Sequence, residues 1–449
     1  MGRGIDLINQ KPGKAMFLFA LPMIIGNLFQ QFYNMADSVI VGNFVGEDAL
    51  AAVGASYSFT TVFIMVAIGG GIGTTVLVSQ YFGAKQYGKM RTAIRTFLVT
   101  FLVFSILMAC VGFAVNPMIL KALKTPDNIF QDAVLYLQIY FIGLPFMFMY
   151  NVLAANFNAL GKSKVPLCLL IFSSILNIVL DLLMVINFKL GVAGVAIATV
   201  IAQGVSCVIS FILLVRYLNT FDIEEKAGWF DKTMFKKGVS IAIPSIIQQS
   251  IVSIGLLLTQ SAVNRFGSSA LAGYSAGSRL ESLCIVPMIA MGNAMSTFTA
   301  QNLGAGKKER IREGYRSAIG MVIIFGILIA VLVQCFYEPL VASFVDAGES
   351  VLAFETGTSY IRFVGCFFAA LGFKTTTDGI LRGSGDVKVY MIANLINLAI
   401  RVSVAQLGAP IWGLEIVWYV VPVGWFVNFM ISYIWYRTGR WKTKELVRR

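Results

Sequence analysis

A polar stripe runs along the first long apolar segment of the chain. The stretch QQFYNMADSVIVGN (30–43) carries one carboxylate, Asp37, and Asn27, Gln30 and Asn34 precede it at spacings of three, four and three residues. This spacing places the four side chains on one face of an α-helix, with Tyr33 beside them. A carboxylate inside a lipid-spanning helix costs about 3 kcal/mol or more to bury, so Asp37 requires a compensating partner.

A second pair of polar groups lies on the fifth apolar segment. Asn177 and Asp181 are four residues apart and therefore share a helix face. A rise of 1.5 Å per residue places both Asp37 and Asp181 about 10 Å below the predicted outer surface. Thr199 on a further segment lies at about 12 Å by the same count, and Tyr136 on another segment lies a similar distance in. The sequence therefore predicts that polar groups from four helices converge at one depth.

Two carboxylates surrounded by amide and hydroxyl oxygens suit a small positive species. Such oxygens are the ligands that a hard cation prefers, and a proton shared between two desolvated carboxylates fits as well. The chain contains no histidine, so any proton carrier must be a carboxylate or another group. The alternative is that each polar side chain only joins helices by hydrogen bonding, as polar groups in membrane bundles do.

The elements that must position these groups are apolar segments of about 20 residues, each long enough to span about 30 Å of hydrocarbon. Of the 449 residues, 57% are hydrophobic and 13% are charged. The fold class predicted is an all-α polytopic membrane protein. Its twelve transmembrane helices are predicted at 15–43, 50–80, 93–116, 131–158, 165–187, 191–217, 237–264, 270–301, 314–337, 352–381, 388–407 and 412–437.

Lysine and arginine are concentrated in one set of loops between these segments. The opposite set holds only Lys121, Lys124, Lys189 and Arg265. This asymmetry predicts a multi-pass protein of the cell membrane with both termini in the cytoplasm. The net charge of +13 then reflects cytoplasmic loops and anionic lipid headgroups, and no nucleic-acid partner is expected.

The two halves of the sequence resemble each other in three places. Two of the paired segments are offset by 221 residues and the third by 222. The pairs are VSQYFGAKQYGKMRTAIRT (78–96) with TAQNLGAGKKERIREGYRS (299–317), ALAAVGAS (49–56) with ALAGYSAG (270–277), and ALGKSKV (159–165) with LRGSGDV (381–387).

This repeat predicts two pseudo-symmetric six-helix lobes with a central cleft. The lobes are predicted at 1–217 and 237–449, joined by a polar cytoplasmic linker at 218–236. Halves with six spans each point the same way through the membrane, which predicts a symmetry axis along the membrane normal and a substrate path between the lobes.

The second half does not repeat the acid cluster. With an offset of 220 residues, the repeat is predicted to place Asn397 opposite Asn177 and Arg401 opposite Asp181. Glu281 lies near the middle of the eighth helix. It either forms a structural ion pair or belongs to a second polar site together with Asn397 and Arg401.

The sequence contains no Walker A or HExxH motif. We therefore expect a protein that is not an enzyme, binds no cofactor and draws on an ion gradient. GGGIG (69–73) falls inside the second predicted helix, where it predicts close helix packing or a bend.

At this point the residues resemble the multidrug and toxic compound extrusion (MATE) family over nearly the whole chain. The resemblance rests on NMADSVIVG followed by ALAAVG, the paired QYFGA and QNLGA segments, LRGSGD, and NIVLD (177–181). It implies two six-helix lobes around an outward-opening cleft. It also implies export of cationic or amphipathic small molecules in exchange for Na⁺ or protons by alternating access.

The resemblance also carries over individual residues. The family's cation or proton site matches Asp37, Asn177, Asp181 and Thr199, which would be the metal ligands if the ion is sodium. One branch of the family has a further glutamate on the seventh helix, and here that helix has no acid. The substrate-cavity candidates of this chain are Gln30, Tyr33, Asn34 and Tyr136.

The alternative function is a flippase for lipid-linked sugar or cell-wall precursors on the same architecture. Such a protein would line its cavity with basic groups for the pyrophosphate, and few basic residues besides Arg401 lie within the predicted spans. In either case the expected partners are membrane lipids and the transported small molecule, and we expect a monomer.

Overall fold

The computed structural model describes residues 4–123, 125–221, 228–345, 348, 350–443 and 446–447. Within these ranges the side chains of residues 36–39, 43, 47 and 58 lie outside the description. Asp37 is one of them, so only its backbone is considered below, and Lys124 is outside the described residues altogether.

Fourteen α-helices make up the described part of the chain, in the order α1 Pro12–Ile40, α2 Glu47–Gly83, α3 Tyr87–Ala122, α4 Asp127–Ala159, α5 Lys164–Leu182, α6 Gly191–Leu218, α7 Lys232–Asn264, α8 Ser268–Cys284, α9 Val286–Gly304, α10 Lys308–Ala342, α11 Val351–Gly365, α12 Phe368–Ser384, α13 Val387–Trp412 and α14 Ile416–Arg437. Short π-helical turns, Val41–Val45 and Leu183–Asn187, follow α1 and α5, and a 3₁₀ turn, Arg440–Thr443, follows α14.

The fourteen helices correspond to the twelve predicted segments. Ten of the described helices are long and apolar enough to cross a membrane, and the pair α8–α9 makes an eleventh such segment with a bend of 40°. The twelfth, α11 with α12, carries five charged residues. The prediction of continuous eighth and tenth helices was wrong, because each of them is broken near its middle.

The two breaks have local causes. Pro287 stands at the start of α9, where its missing N–H and fixed φ prevent α8 from continuing straight. Between α11 and α12 the backbone tightens, since the N–H groups of Cys366 and Phe367 bond carbonyls only three residues back, at 3.2 and 2.9 Å.

The chain divides into two compact units. Unit 1 comprises residues 1–4 and 25–246, and unit 2 comprises residues 5–24 and 247–449. The boundaries thus lie inside α1 and α7, two residues after Pro22 and Pro244, whereas the predicted lobes met at the linker 218–236. The predicted lobe bounds themselves stay a prediction.

The same helix pairs pack in both units. In unit 1, α4 contacts α2, α3 and α6, and α5 contacts α6. In unit 2, α12 contacts α9, α10 and α14, α11 contacts α8, and α13 contacts α14. The helices α8–α9 and α11–α12 therefore take the places that α2 and α4 have in unit 1.

Residues with positive φ mark matching turns in the two units. Gly46 pairs with Gly267 and Lys85 with Gly306, at an offset of 221 residues. The later pairs, Gly161 with Gly385 and Lys189 with Gly413, are offset by 224. The offset grows because the connection between α10 and α11 is longer than the one between α3 and α4.

This geometry corrects the register predicted for the last part of the repeat. The turn glycines at 161 and 385 require an offset of 224 there, in place of 222. Arg401 consequently lies opposite Asn177, and Ala405 lies opposite Asp181. The predicted pairing of Asn397 with Asn177 and of Arg401 with Asp181 has an offset of 220 and was therefore wrong as well.

The glycines of GGGIG permit the close helix packing that the sequence predicts. A Cβ atom at Gly73 would lie 2.6 Å from the carbonyl oxygen of Gly238 on α7, and one at Gly69 would lie 2.7 Å from the Cα atom of Ile246. These neighbours are backbone atoms of unit 1 and cannot rotate away. Only glycine lets α2 and α7 approach this closely.

We expect Gly73→Ala to destabilise the protein by about 1–3 kcal/mol, because the new methyl group overlaps backbone and forces the helices apart. Gly54→Ala in the same helix is the matched control, since a Cβ there meets nothing within 4 Å. The measurement is the apparent melting temperature of each purified variant in detergent. Equal melting temperatures for the two variants would contradict the packing role of Gly73.

Candidate functional site

The buried polar cluster of unit 1 is built around two residues on α5. Asn177 is 2% exposed and Asp181 is fully buried, and the remainder of the helix is mostly apolar. Four residues make slightly more than one turn, so both side chains leave α5 on one face. A carboxylate at such a position must be stabilised by hydrogen bonds or by a positive species.

The amide of Asn177 connects three helices. With its nitrogen turned toward Asp181, the amide donates to the carboxylate oxygen Oδ2 at 3.2 Å, and its oxygen accepts from the backbone N–H of Thr199 at 3.1 Å. The Tyr33 hydroxyl on α1 contacts the same amide. Thr199 donates its own hydroxyl to the carbonyl of Val195 at 3.0 Å. The structure thus brings together Tyr33, Asn177, Asp181 and Thr199.

Two π-helical turns close this cluster on one side. The turn Val41–Val45 follows α1 and the turn Leu183–Asn187 follows α5, and the two turns contact each other. Val41 and Val185 lie in one buried apolar cluster. Such π-helical turns occur frequently at functional sites, because they re-aim side chains within a helix.

These turns place the backbone of Asp37 relative to Asp181. Asp37 stands four residues before Val41, and Asp181 stands four residues before Val185. Because the two valines pack in one cluster, both acidic positions stand about one helical turn from the same contact. The contribution of Asp37 to the site stays a prediction.

The cavity candidates lie around this cluster. On α1, the amide of Gln30 donates to Asn34 Oδ1 at 3.0 Å, which places these two residues of the stripe on one helix face. Tyr136 on α4 packs beside the valine cluster and lines a small cavity between α4 and α6 with Thr199. Two residues that the sequence analysis missed, Tyr140 and Gln203, line the same cavity.

Unit 2 contains a different polar cluster. The Tyr360 hydroxyl on α11 donates to the Glu281 carboxylate on α8. Arg401 on α13 is close enough to attract this carboxylate electrostatically, although the described residues contain no direct ion pair between them. Tyr360 was not among the residues predicted from the sequence. The corrected register points to it, because an offset of 224 places Tyr360 opposite the predicted cavity residue Tyr136.

Arg401 and Asn397 on α13 pack against α14 at Gly424. A Cβ atom at Gly424 would contact Asn397 Oδ1 and would lie 3.0 Å from Arg401 Cγ. The amide oxygen of Asn397 and the Nε atom of Arg401 are buried and have no hydrogen-bond partner among the described residues. The predicted second polar site therefore exists as a group of neighbouring side chains, while its role stays a prediction.

Unit 2 also contains a separate, buried ion pair. Lys374 and Asp378, four residues apart on α12, are 3.5 Å apart. The Asp378 carboxylate also accepts from Ser432 at 2.6 Å and from Asn394 at 3.2 Å. A buried carboxylate with this many donors is a fixed structural element, since its charge is compensated without any exchangeable species.

These observations define a class of protein: a multi-pass helical membrane protein built from an internal repeat, with a buried acidic cluster in one copy. The sequence model of the MatE family matches residues 22–183 and 244–407, once in each half of the chain. The protein therefore belongs to the MATE family of membrane transporters. The predicted fold class and family are confirmed.

Individual relatives agree with this assignment. The chain is 29% identical over 435 residues to the probable multidrug resistance protein YpnP of Bacillus subtilis, with 96% of each chain covered. It is 25% identical to an FAD transporter of Shewanella oneidensis, with 93% of this chain and 92% of that protein covered. A MOP-superfamily transporter from Pyrococcus furiosus has the same fold, with a TM-score of 0.91, 22% identity and 99% of each chain covered.

We expect Tyr360→Phe to lower the stability of unit 2 by about 1–3 kcal/mol, because Glu281 then loses its hydrogen-bond donor in a half-buried position. The readout is the apparent melting temperature in detergent. Tyr419→Phe is the control, since Tyr419 donates to Glu415 at 2.6 Å on an exposed part of α14. A loss of equal size in both variants would remove the case for a special Glu281–Tyr360 contact.

Proposed function

We propose that the protein exports small cationic or amphipathic compounds in exchange for Na⁺ or protons by alternating access. The observation that carries this proposal is the fully buried Asp181 carboxylate, which accepts a hydrogen bond from Asn177 beside Tyr33 and Thr199. A buried carboxylate among amide and hydroxyl oxygens suits a small exchangeable cation or a proton. The multidrug resistance protein YpnP supports the substrate class.

In this proposal the cluster holds the coupling ion by its oxygen atoms. Asp181 and Asp37 supply negative charge, and Asn177 and Thr199 supply neutral oxygens. Tyr33 joins α1 to the site, so that the ion and the first helix are connected by one hydrogen bond. Binding of the coupling ion changes the net charge next to α1. The bound ion thereby favours the conformation of the transporter that releases the exported compound.

Helix α1 is the element that transmits this change. Its first half, up to Ile24, belongs to unit 2, and its second half, which carries the polar stripe, belongs to unit 1. Pro22 and Gly26 flank the division, and a proline inside a helix is a common place for a bend. We propose that α1 bends there as the ion binds and leaves, and that the cycle runs in the cell membrane with both termini in the cytoplasm.

The flippase alternative is not favoured. The curated relatives carry names of multidrug resistance proteins and of an FAD transporter. In unit 1, the described contacts of the cluster come from neutral side chains and a carboxylate, which do not suit a pyrophosphate.

The test is accumulation of ethidium by everted vesicles, driven by an imposed Na⁺ gradient and separately by an imposed pH gradient. We expect wild-type protein to respond to at least one gradient and Asp181→Asn to accumulate ethidium at the level of empty vesicles, because the variant keeps the shape of the side chain but removes its charge. Ethidium binding to the purified variant should persist. Gradient-driven accumulation by Asp181→Asn at the wild-type rate would exclude this site from coupling.

The matched control is Asp127→Asn, which removes the charge of an exposed carboxylate in the first turn of α4, also in unit 1. It should accumulate ethidium at the wild-type rate. If both variants lose accumulation and ethidium binding together, general misfolding explains the result, and the proposal for Asp181 loses its support. A response of Asp181→Asn alone, with binding retained, is the expected outcome.

A further inference from the structure

An open groove lies between α10 and α11 in unit 2. Its volume is about 550 Å³, within the range of about 300–1,000 Å³ that small-molecule sites occupy. Gln334 and Tyr337 of α10 form one wall, and Glu355, Arg362 and Phe363 of α11 form the other. The groove therefore contains a positive and a negative group on one helix face, seven residues apart.

Neither charge forms an ion pair with another described residue. The ion pairs among the described residues are Lys374 with Asp378 and Lys442 with Glu309, so no carboxylate of that part of the chain lies within 4.0 Å of the Arg362 guanidinium. The guanidinium donates weakly to Gln334 at 3.4 Å and lies 5.0 Å from the ring centre of Tyr337. Both contacts orient Arg362 without compensating its charge.

The groove opens onto an apolar surface. Exposed aliphatic side chains follow one face of α10 at helical spacing: Ile324, Ile327, Leu328 and Val331. In a membrane-spanning helix such a face contacts lipid. This aliphatic face ends at Val331, three residues before the groove residue Gln334, so a lipid whose acyl chains lie along the face has its headgroup next to the groove.

The position of the groove along α10 is that of a lipid headgroup. The last charged residue at the beginning of α10 is Arg316, and Gln334 follows it by 18 residues, or about 27 Å. The hydrocarbon core is about 30 Å thick, so the groove lies near its far boundary. Arginine side chains near this boundary reach toward the headgroup region.

The internal repeat shows that the fold does not need these charges. In unit 1 the corrected register places Gln131 opposite Glu355 and Gln138 opposite Arg362. The position opposite Gln334 is Phe113. The helices α3 and α4 thus pack in unit 1 with uncharged side chains at these positions. Packing of α10 against α11 therefore does not explain the charges of Glu355 and Arg362.

We propose that this groove binds the headgroup of a zwitterionic phospholipid that carries a primary ammonium group, such as phosphatidylethanolamine. Arg362 binds the phosphate by charge-assisted hydrogen bonds. Glu355 binds the ammonium group, which donates three hydrogen bonds. The acyl chains lie along the exposed aliphatic face of α10. A choline headgroup offers no N–H donor to Glu355, and a glycerol headgroup offers no positive charge.

The test is native mass spectrometry of the purified full-length protein, titrated with phosphatidylethanolamine, phosphatidylcholine and phosphatidylglycerol of identical acyl chains. We expect wild-type protein to retain phosphatidylethanolamine about tenfold more than either other lipid, which corresponds to 1.4 kcal/mol. Arg362→Gln should lose binding of all three lipids at this site. Glu355→Gln should keep phospholipid binding but lose the preference for phosphatidylethanolamine.

Two further variants keep the test decisive. Arg362→Lys retains the charge and should restore much of the binding, which a merely structural role would not predict. Arg265→Gln removes an exposed arginine that contacts Gln406 outside the groove, and it should leave lipid retention unchanged. Equal retention of the three lipids by wild-type protein would overturn the proposal. So would a change in ethidium binding by Arg362→Gln with unchanged lipid retention, because the groove would then belong to the substrate path.

Discussion

The burial of a carboxylate in an apolar helix is the constraint on which the site depends. Asp181 is fully buried, and water cannot solvate its charge there. The amide of Asn177 donates to this carboxylate, and a tyrosine from α1 and a threonine from α6 contact the same amide. Amide and hydroxyl oxygens of this kind suit a small positive species. A site of this kind differs from the Lys374–Asp378 pair, whose fixed ammonium group leaves nothing to exchange.

The two units share a backbone but differ in their chemistry. Matching turns and helix contacts show the same architecture twice. Of the unit 1 site, the corrected register preserves Tyr136 as Tyr360, whereas Asn177 becomes Arg401 and Asp181 becomes Ala405. Unit 2 thus carries a permanent positive group where unit 1 carries an amide next to a carboxylate. Arg401 attracts the Glu281 carboxylate electrostatically, although the described residues contain no direct ion pair between the two.

Much of this arrangement follows from the sequence, and the exceptions have physical reasons. Apolar length and polar spacing predicted the helices and the approach of Asn177, Asp181 and Thr199, because helix periodicity fixes which side chains share a face. The breaks at residues 285 and 366 were not predictable from apolar length, since both fall inside hydrophobic runs. The register error arose because sequence identity aligned Gly161 with Gly383. The residue that has the matching positive φ in the turn is Gly385. The π-helical turns left no signal in the polar pattern.

The division of α1 gives the buried charge a mechanical consequence. A helix is stiff along its axis because each carbonyl is bonded to an N–H group four residues on. The polar stripe of α1 lies in the half that belongs to unit 1, and the other half packs in unit 2. The Tyr33–Asn177 contact acts on the half of α1 that belongs to unit 1, and Pro22 interrupts the hydrogen-bond pattern of the helix just before the division. Helix α7 is divided two residues after Pro244, as α1 is after Pro22, but has no acid on its corresponding face. The repeat thus contains two helices, α1 and α7, that are divided between the units, and only α1 carries an acidic residue.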